Sequence, residues 1–268
     1  MLGFAETLGG TLAAFLLPAL VGLSVISALA RYASPRYLAA FAIGLYLWFF
    51  SDTVGDASLL GVSEGFAGGA FHFALWLAFA AGVLVFFSID SKLFAEGSAG
   101  GSLGFAIPLL VAVAFGVHGL GEGAAVGATA ASFPGTSLLA AFGGLSATAS
   151  FLLHKALEPM VAGAAYWAYA RDHARDTAGR AKDIAVLALA FALPGIIGGS
   201  SSYYLVQVYP SADFTYVFAL GLGTSIYAAI RVARPLFQGT SSNSESLRTA
   251  LAVVLGFACL YLAASLHS

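Results

Sequence analysis

The segment Phe15-Leu16-Leu17-Pro18-Ala19-Leu20-Val21-Gly22 decides how the chain folds. It lies in the middle of an apolar run, residues 8–30, which is long enough for a helix to cross a bilayer with roughly 20 residues. The segment has a counterpart in Phe191-Ala192-Leu193-Pro194-Gly195-Ile196-Ile197-Gly198, where phenylalanine, leucine, proline and glycine stand in the same order. The sequence therefore predicts a membrane-spanning helix that occurs twice in the chain.

The composition of the whole chain is typical of a membrane protein. Of its 268 residues, 60% are hydrophobic and only 9% are charged, and the mean hydropathy is +0.91. Soluble domains carry about 25% charged residues, so a soluble globular protein is excluded. We predict an all-α integral membrane protein whose residues 1–268 form a single transmembrane domain of eight helices. The apolar runs that predict these helices are 8–30, 37–59, 70–89, 103–130, 137–170, 184–207, 213–232 and 247–266.

The charges and the cysteine content exclude further classes of protein. The net charge is -2 and the chain has no basic run, so we expect the lipid bilayer and not a nucleic acid as partner. The single cysteine, Cys259, allows neither an internal disulfide nor a zinc site built from thiolates. No basic residue precedes Arg31, so the first apolar run is predicted to be a retained helix and not a signal peptide.

The lysine and arginine residues predict the orientation of the helices. All but one of the eleven lie in or beside the connections that follow the first, third, fifth and seventh predicted helices. Cytoplasmic connections are enriched in Lys and Arg, so these connections are predicted to be cytoplasmic and both termini extracytoplasmic. The exception, Lys155, lies inside the fifth predicted helix. The residues that carry this argument are Arg31, Arg36, Lys92, Arg171, Arg175, Arg180, Lys182, Arg231, Arg234 and Arg248.

The repeated segment belongs to a longer internal repeat. Phe41-Ala42-Ile43-Gly44-Leu45 in the second predicted helix is similar to Phe218-Ala219-Leu220-Gly221-Leu222 in the seventh. Leu77-Ala78-Phe79-Ala80 in the third is similar to Leu255-Gly256-Phe257-Ala258 in the eighth. These matches follow one another at nearly the same separation, although chance similarity between apolar segments is the alternative explanation.

The repeats are inverted, because the first and sixth predicted helices cross the membrane in opposite directions. Inverted repeats are typical of many secondary transporters, in which the substrate site lies near the middle of the membrane. The predicted arrangement is 3+2+3, with a first repeat over residues 8–89, a central helix pair over residues 103–170 and a second repeat over residues 184–266.

Two histidine-glutamate pairs lie within the central helices. His118 and Glu122, and likewise His154 and Glu158, are four residues apart, which places both side chains of each pair on one helix face. Ionisable side chains inside a membrane are costly and commonly functional. Imidazole and carboxylate ligands suit divalent transition metals, so the two pairs predict a metal site at mid-membrane. The alternative is that each pair forms a structural hydrogen bond.

Small residues and a proline accompany these pairs. Gly119, Gly123 and Gly127 form a ridge that permits close packing against another helix. Pro159 cannot donate the backbone hydrogen bond that would reach the carbonyl of Lys155. A broken helix at membrane depth is tolerated where it lines a cavity, so the sequence places the site where the fifth helix is weakest.

With these motifs the chain resembles the Zrt/Irt-like (ZIP) family of metal transporters. The family carries a His-x-x-x-Glu-Gly motif, matched by residues 118–123, and a later polar residue followed four positions on by Glu or His, matched by His154 and Glu158. Residues 223–227, Gly-Thr-Ser-Ile-Tyr, are similar to a further segment of the family. The resemblance implies eight helices in 3+2+3 topology, a metal site made by the two histidine-glutamate pairs, an elevator-like or rocking motion, and a homodimer. We expect it in the plasma membrane of a prokaryote.

The chain also departs from the pattern of that family. Gly119 stands where family members with two metals often have Asn, and Lys155 stands where they often have an acidic residue. A lysine ammonium can take the place of a second ion, so the sequence predicts one metal and not two. No soft donor is available near Tyr46, where some members place a methionine ligand.

Polar residues outside the central pairs are candidates for the ends of a transport path. Asp52, Asp56 and His72 are predicted at the extracytoplasmic entrance, together with Glu64. Asp90 is predicted at the cytoplasmic exit, together with His173, which falls in the connection after the fifth helix. The alternative for each is an ordinary polar helix end.

The function predicted from these observations is transport and not catalysis. We expect a secondary transporter that moves Zn²⁺ into the cytoplasm, a direction implied by the resemblance alone; Fe, Mn, Cd and Co suit the same ligands. No prosthetic group is expected. The first alternative is a membrane-embedded zinc hydrolase, although a His-Glu-x-x-His motif is lacking. The second is a haem electron carrier with His118 and His154 as axial ligands.

Overall fold

The computed structural model describes residues 2–59, 69–95, 104–132, 137–209, 215–233 and 242–265. The regular structure of these residues is helical, and no strand occurs among them. This confirms the all-α prediction. The helices are α1 (Phe4–Leu29), α2 (Pro35–Leu59), α3 (Gly69–Ala95), α4 (Ala106–Ser132), α5 (Leu138–Ala141), α6 (Leu145–Leu157), α7 (Pro159–Asp172), α8 (Thr177–Val208), α9 (Thr215–Ala233) and α10 (Asn243–Ala264).

Within the described part of the chain, six helices are long and apolar enough to cross a membrane. They are α1, α3, α4, α8, α9 and α10. The apolar stretch found in α2, Arg36–Trp48, is shorter. The fifth predicted helix is divided among α5, α6 and α7, because Gly143 and Gly144 adopt positive φ angles and Pro159 interrupts the backbone hydrogen bonds. The chain is thus an integral membrane protein by the length and composition of these helices.

Helix α8, which corresponds to the sixth predicted helix, begins earlier than its apolar run predicts. The prediction started at residue 184, whereas α8 starts at Thr177. The side chain of Asp176 caps this end by accepting a 2.8 Å hydrogen bond from the backbone N–H of Gly179. The first turns of α8 contain Arg180 and Lys182. Because these residues are charged, the apolar run that served for the prediction starts only after them.

Large apolar side chains cover the outside of the helix bundle. In α3 and α10 only 17% of the most apolar stretch is buried, whereas in α4 the share is 67%. The lipid would therefore contact α3 and α10, and α4 lies at the centre. The exposed side chains on α1, α3 and α10 include Leu17, Val21, Trp76, Leu84, Val85, Leu247, Leu251, Val254 and Leu262.

Glycines allow α4 and α8 to approach each other closely. A Cβ atom added to Gly123 would collide with the carbonyl oxygen of Gly195, and one added to Gly127 would collide with that of Gly199. Gly198 of α8 lies in the same way against the carbonyl of Leu120. The packing predicted for the α4 glycine ridge is therefore present at Gly123 and Gly127.

A second set of glycine contacts joins the peripheral helices. Gly44 of α2 and Gly256 of α10 each lie against a backbone carbonyl of the other helix. Gly82 of α3 and Gly223 of α9 do the same. As a result α2 packs along α10, and α3 packs along α9, while α1, α4, α6, α7 and α8 pack around one another.

Candidate metal centre

The central helix α4 supplies the first two residues of the site. His118 and Glu122 lie one turn apart, with Nε2 of the histidine 3.7 Å from Oε1 of the glutamate. His118 is 4% exposed, and the Glu122 side chain is 15% exposed. The spacing of four residues brings the two side chains to one face of α4, as the sequence predicted.

The junction between α6 and α7 supplies the third residue. Glu158 is the residue between Leu157, where α6 ends, and Pro159, where α7 begins. Its side chain is almost completely buried, and Oε1 lies 2.7 Å from Nε2 of His154. The break predicted at Pro159 is therefore present, and it sets a carboxylate among packed helices.

Three of these side chains converge on one point. Ligand atoms of His118, Glu122 and Glu158 lie within 4.8 Å of one another, which suits a single metal ion. His154 does not belong to this group in the described part of the chain, but its imidazole holds Glu158 in place. The structure thus brings the two predicted pairs together, with three residues at the centre and the fourth beside it.

Lys155 also lies at this centre. Its Nζ atom is 2.6 Å from Oε2 of Glu158 and forms an ion pair with Oε2 of Glu122. The side chain has no exposed surface. A buried ammonium needs partners of opposite charge, and the two carboxylates provide them. The sequence predicts that the lysine ammonium takes the place of a second metal ion, and in the structure this ammonium lies between the two glutamates.

Aromatic rings surround the lysine. The ammonium lies 5.8 Å from the ring centres of Phe15 and Phe151 and 5.9 Å from that of Phe191. These distances are in the range of cation–π attraction. The rings come from α1, α6 and α8, so three helices enclose the lysine ammonium.

Helix α9 forms the opposite wall of the site. The ring of Phe218 lies 5.8 Å from the imidazole of His118, and a Cβ atom added to Gly221 would come within 2.5 Å of the Cα atom of His118. The hydroxyl of Thr224 donates a 2.8 Å hydrogen bond to the carbonyl of Ala114. The face of α4 that carries His118 therefore borders α9, in the segment that also carries the predicted repeat.

Gly119 serves packing in this structure. A Cβ atom there would lie 3.1 Å from Cε1 of Phe15 and 3.8 Å from Oε2 of Glu122. A side chain as large as Asn would have to displace the Phe15 ring. Position 119, where ZIP family members with two metals often have Asn, therefore has little room in this chain for a side chain that could bind a metal.

Asp90 is held in an ion-pair cluster at the end of α3. Nε of Arg231 lies 2.8 Å from Oδ2 of Asp90, and the hydroxyl of Tyr227 donates a hydrogen bond to the same carboxylate. Asp90 is 5% exposed. The cluster ties α3 to α9. No local pattern in the sequence predicts this cluster, because Tyr227 and Arg231 lie far along the chain from Asp90.

The other candidate path residues lie apart from this cluster or outside the described side chains. His173 follows the end of α7, and its Nδ1 atom donates a 2.9 Å hydrogen bond to the carbonyl of Tyr169. The backbones of Asp52, Asp56 and His72 lie in α2 and α3, but their side chains are outside the described part. Glu64 lies outside the described residues altogether.

Asp183 is a buried carboxylate that the sequence did not predict as a candidate. Asp183 accepts a 3.1 Å hydrogen bond from the hydroxyl of Tyr166, and its Oδ2 atom lies 3.1 Å from Nε of Arg175. This cluster joins α7 to α8, as the Asp90 cluster joins α3 to α9. The signal that could have found it is an Asp near the start of an otherwise apolar helix.

The comparisons with known proteins leave the family open. No protein-family model matches the chain, and no curated protein matches it.

Proposed function

We propose that the protein is a secondary transporter that carries divalent transition-metal ions, Zn²⁺ above all, through one site at mid-membrane. One observation carries this proposal: His118, Glu122 and Glu158 present ligand atoms within 4.8 Å of one another at the centre of a bundle of apolar helices. Ionisable groups are costly in such surroundings and are retained where they act.

The chemistry of the site favours a transition metal over Ca²⁺ or Mg²⁺. Calcium and magnesium prefer ligand sets made of oxygen, whereas His118 offers an imidazole nitrogen. With Glu122 and Glu158 the site has one nitrogen ligand and two carboxylates, and His154 lies close enough to Glu158 to orient it. The absence of thiolates suits transport, because an ion held by several thiolates is released slowly. Fe, Mn, Cd and Co suit the same ligands.

We further propose that eight segments cross the membrane. In this topology α5, α6 and α7 together make one crossing, α2 makes another, and the six long apolar helices make the rest. Both termini are then extracytoplasmic, and the connections that carry the lysine and arginine residues are cytoplasmic. The whole chain is a single transmembrane domain.

The pairwise contacts of the helices support the inverted repeat. In a 3+2+3 arrangement, α1 corresponds to α8, α2 to α9, α3 to α10, and α4 to the α6–α7 pair. If the repeat is present, each contact between two helices should have a counterpart between the two corresponding helices. The contact of α2 with α10 then corresponds to that of α9 with α3. The contact of α4 with α9 corresponds to that of α7 with α2. All four contacts are present. The same correspondence relates the contact of α4 with α8 to those of α1 with α6 and α7, which are also present.

The proposal also includes a movement of one helix group against another, at a boundary where α4 contacts α9 and α2 contacts α7. The group that holds the site comprises α1, α4, α6, α7 and α8, and the second group comprises α2, α3, α9 and α10. An elevator-like or rocking motion between them would move the site across the membrane. The ZIP resemblance, the inward direction, the homodimer and a prokaryotic plasma membrane are parts of this proposal.

Zinc influx into liposomes tests the function. The purified protein is reconstituted with a zinc-sensitive dye inside, and wild type is compared with His118→Ala and Glu158→Gln. We expect saturable influx in wild type and in Glu245→Gln, whose carboxylate pairs with Arg36 outside the cluster, and loss of influx in the two site variants. Influx that survives in both site variants would show that the metal passes elsewhere.

The topology is tested at the two ends of α8. In a Cys259→Ser background, Thr177→Cys and Tyr209→Cys place one thiol at each end of this helix. A membrane-impermeant maleimide added outside intact cells should label the Tyr209→Cys variant and leave the Thr177→Cys variant unlabelled. The reverse labelling pattern would invert the proposed orientation.

A zinc hydrolase is the second candidate, since a catalytic zinc commonly has three protein ligands and the cluster offers three. The same preparation separates the two functions. A protein that retains one zinc ion, shows no zinc flux and hydrolyses a lipid or peptide would be a hydrolase.

A further inference from the structure

A cation supplied by the chain itself lies in the candidate metal centre. The ammonium of Lys155 is 2.6 Å from Oε2 of Glu158 and pairs with Oε2 of Glu122. The lysine side chain is completely buried, so water does not share in solvating it. Both carboxylates that would bind a metal therefore bind this ammonium.

The two oxygens of Glu158 are both engaged. Oε1 lies 2.7 Å from the imidazole of His154, and Oε2 lies 2.6 Å from the ammonium of Lys155. A zinc ion bonded to a carboxylate oxygen at about 2.0–2.2 Å competes with the partner that this oxygen already has, because both draw on the same oxygen lone pairs. The ammonium is the partner that a dication repels, so it is the one that gives way.

The surroundings provide the ammonium with other contacts. The rings of Phe15, Phe151 and Phe191 lie 5.8 to 5.9 Å from it. Cation–π attraction to these rings stabilises a lysine that has moved away from the carboxylates. The flexible side chain of lysine makes such a movement feasible without a change in the helix.

We propose that Lys155 is the internal counter-cation of the metal centre, which each arriving metal ion displaces from Glu122 and Glu158 and which returns when the ion leaves. This inference depends on the proposed transport function. It gives the lysine two roles. Competition weakens metal binding enough for release, and binding must be weak enough for an ion to leave a pathway. The returning ammonium also offsets one of the two negative charges of Glu122 and Glu158 during the step without metal, which lowers the cost of burying these carboxylates in the membrane.

The first test measures metal binding. Zinc affinity is determined in detergent for wild type, for Lys155→Met, and for Lys182→Met, a control at an exposed lysine. Removal of a positive charge that contacts two ligand carboxylates should lower the Kd for zinc at least about tenfold. The control should bind as wild type does. A Kd that is unchanged or raised in Lys155→Met would overturn the proposal.

A second variant keeps the test decisive if the methionine variant cannot be purified. Lys155→Arg retains the charge, and guanidinium groups bind carboxylates in a bidentate manner more firmly than ammonium. We expect this variant to bind zinc severalfold more weakly than wild type. Equal or tighter binding in Lys155→Arg would contradict the competition.

The return step gives a separate readout in liposomes. With Lys155→Met, net zinc uptake should fall further than exchange of labelled zinc for unlabelled zinc, because exchange needs no crossing without metal. An equal fall in both rates would remove the second role of the lysine.

These results separate the two proposals. Zinc transport in wild type combined with unchanged binding in Lys155→Met rejects the lysine competition and leaves the transporter. If wild type and Lys155→Met both fail to bind zinc, transport itself is rejected and the lysine role with it. Binding seen only in Lys155→Met would support the competition and contradict transport by wild type.

Discussion

Nε2 of His154 lies 2.7 Å from Oε1 of Glu158, and this contact spans the break between α6 and α7. The imidazole thus bonds to a carboxylate of the candidate metal cluster and does not itself belong to the group formed by His118, Glu122 and Glu158. The two histidines, which occupy equivalent places in their sequence motifs, therefore lie at different positions relative to this group.

The first prediction concerns these two histidines. His118→Ala removes a ligand, whereas His154→Ala removes a residue that orients one. Loss of a residue that orients a ligand typically costs 10- to 100-fold in metal affinity, so we expect an effect of that size for His154→Ala and a larger one for His118→Ala. Zinc titration of the purified variants measures both.

His173→Ala is the matched control for both substitutions. This histidine follows α7 and hydrogen-bonds only the backbone of its own helix among the interactions described above. Its zinc Kd should equal that of wild type. A larger loss in His154→Ala than in His118→Ala would reverse the assigned roles.

The second prediction concerns the charge balance around Lys155. Lys155→Met leaves Glu122 and Glu158 close together without their shared ammonium, and like charges in one buried site repel. The melting temperature measured without metal should therefore fall. Adding Glu122→Gln should recover part of the loss, because only one carboxylate then remains. If the double variant is less stable than Lys155→Met alone, the ammonium does not balance these two groups.

The third prediction concerns the contact of α4 with α8. Gly123→Ala adds a methyl group directly against the carbonyl oxygen of Gly195. Overpacking of this kind typically costs 1–3 kcal/mol, so the variant should melt at a lower temperature in detergent. Gly9→Ala is the control: Gly9 lies in α1 with nothing within 4 Å of an added Cβ atom. It should be neutral or stabilised by up to about 1 kcal/mol. Equal stability of the two variants would mean that the helices separate easily.

The fourth prediction concerns the Asp90 cluster. Asp90→Asn removes the carboxylate that pairs with the guanidinium of Arg231. Breaking a buried ion pair lowers the free energy of unfolding by about 3 kcal/mol. Stability should fall while the zinc Kd stays unchanged, because the cluster ties α3 to α9. A change in zinc transport without a change in stability would instead favour the predicted role of Asp90 in the exit path.

Glu245→Gln is the control for that substitution. Glu245 pairs with Arg36 at 4.0 Å, and about half of its side chain is exposed. Exposed ion pairs contribute about 0–1 kcal/mol. A small effect here beside a large effect at Asp90 would attribute the difference to burial.

Two features of the candidate site follow from the sequence by local rules. A spacing of four residues places two side chains on the same helix face wherever the helix goes, and Pro159 interrupts a helix in any surroundings. The pair His118 and Glu122, and the junction at Glu158, depend only on such local rules. The positions of the helix ends were less accurate, as α8 shows, because capping by Asp176 extends a helix beyond its apolar run.

Contacts between distant segments were beyond the reach of local rules. Asp90 accepts hydrogen bonds from Tyr227 and Arg231 of α9. No pattern in the sequence near Asp90 predicts these contacts. Asp183 and Tyr166 meet in the same way between α7 and α8. Such pairs depend on which helices become neighbours, which is settled when glycine-rich faces and apolar surfaces pack together.

By itself the sequence determined that the chain is a bundle of apolar helices with two histidine-glutamate pairs at its centre. Composition and periodicity suffice for this, because hydropathy and helix geometry act within one segment. Only the tertiary structure decided which charged side chains pair with each other: His154 with Glu158, and Lys155 with both Glu122 and Glu158. Burial among the rings of three helices leaves the lysine side chain without exposed surface, and electrostatic attraction places its ammonium between the carboxylates of Glu122 and Glu158.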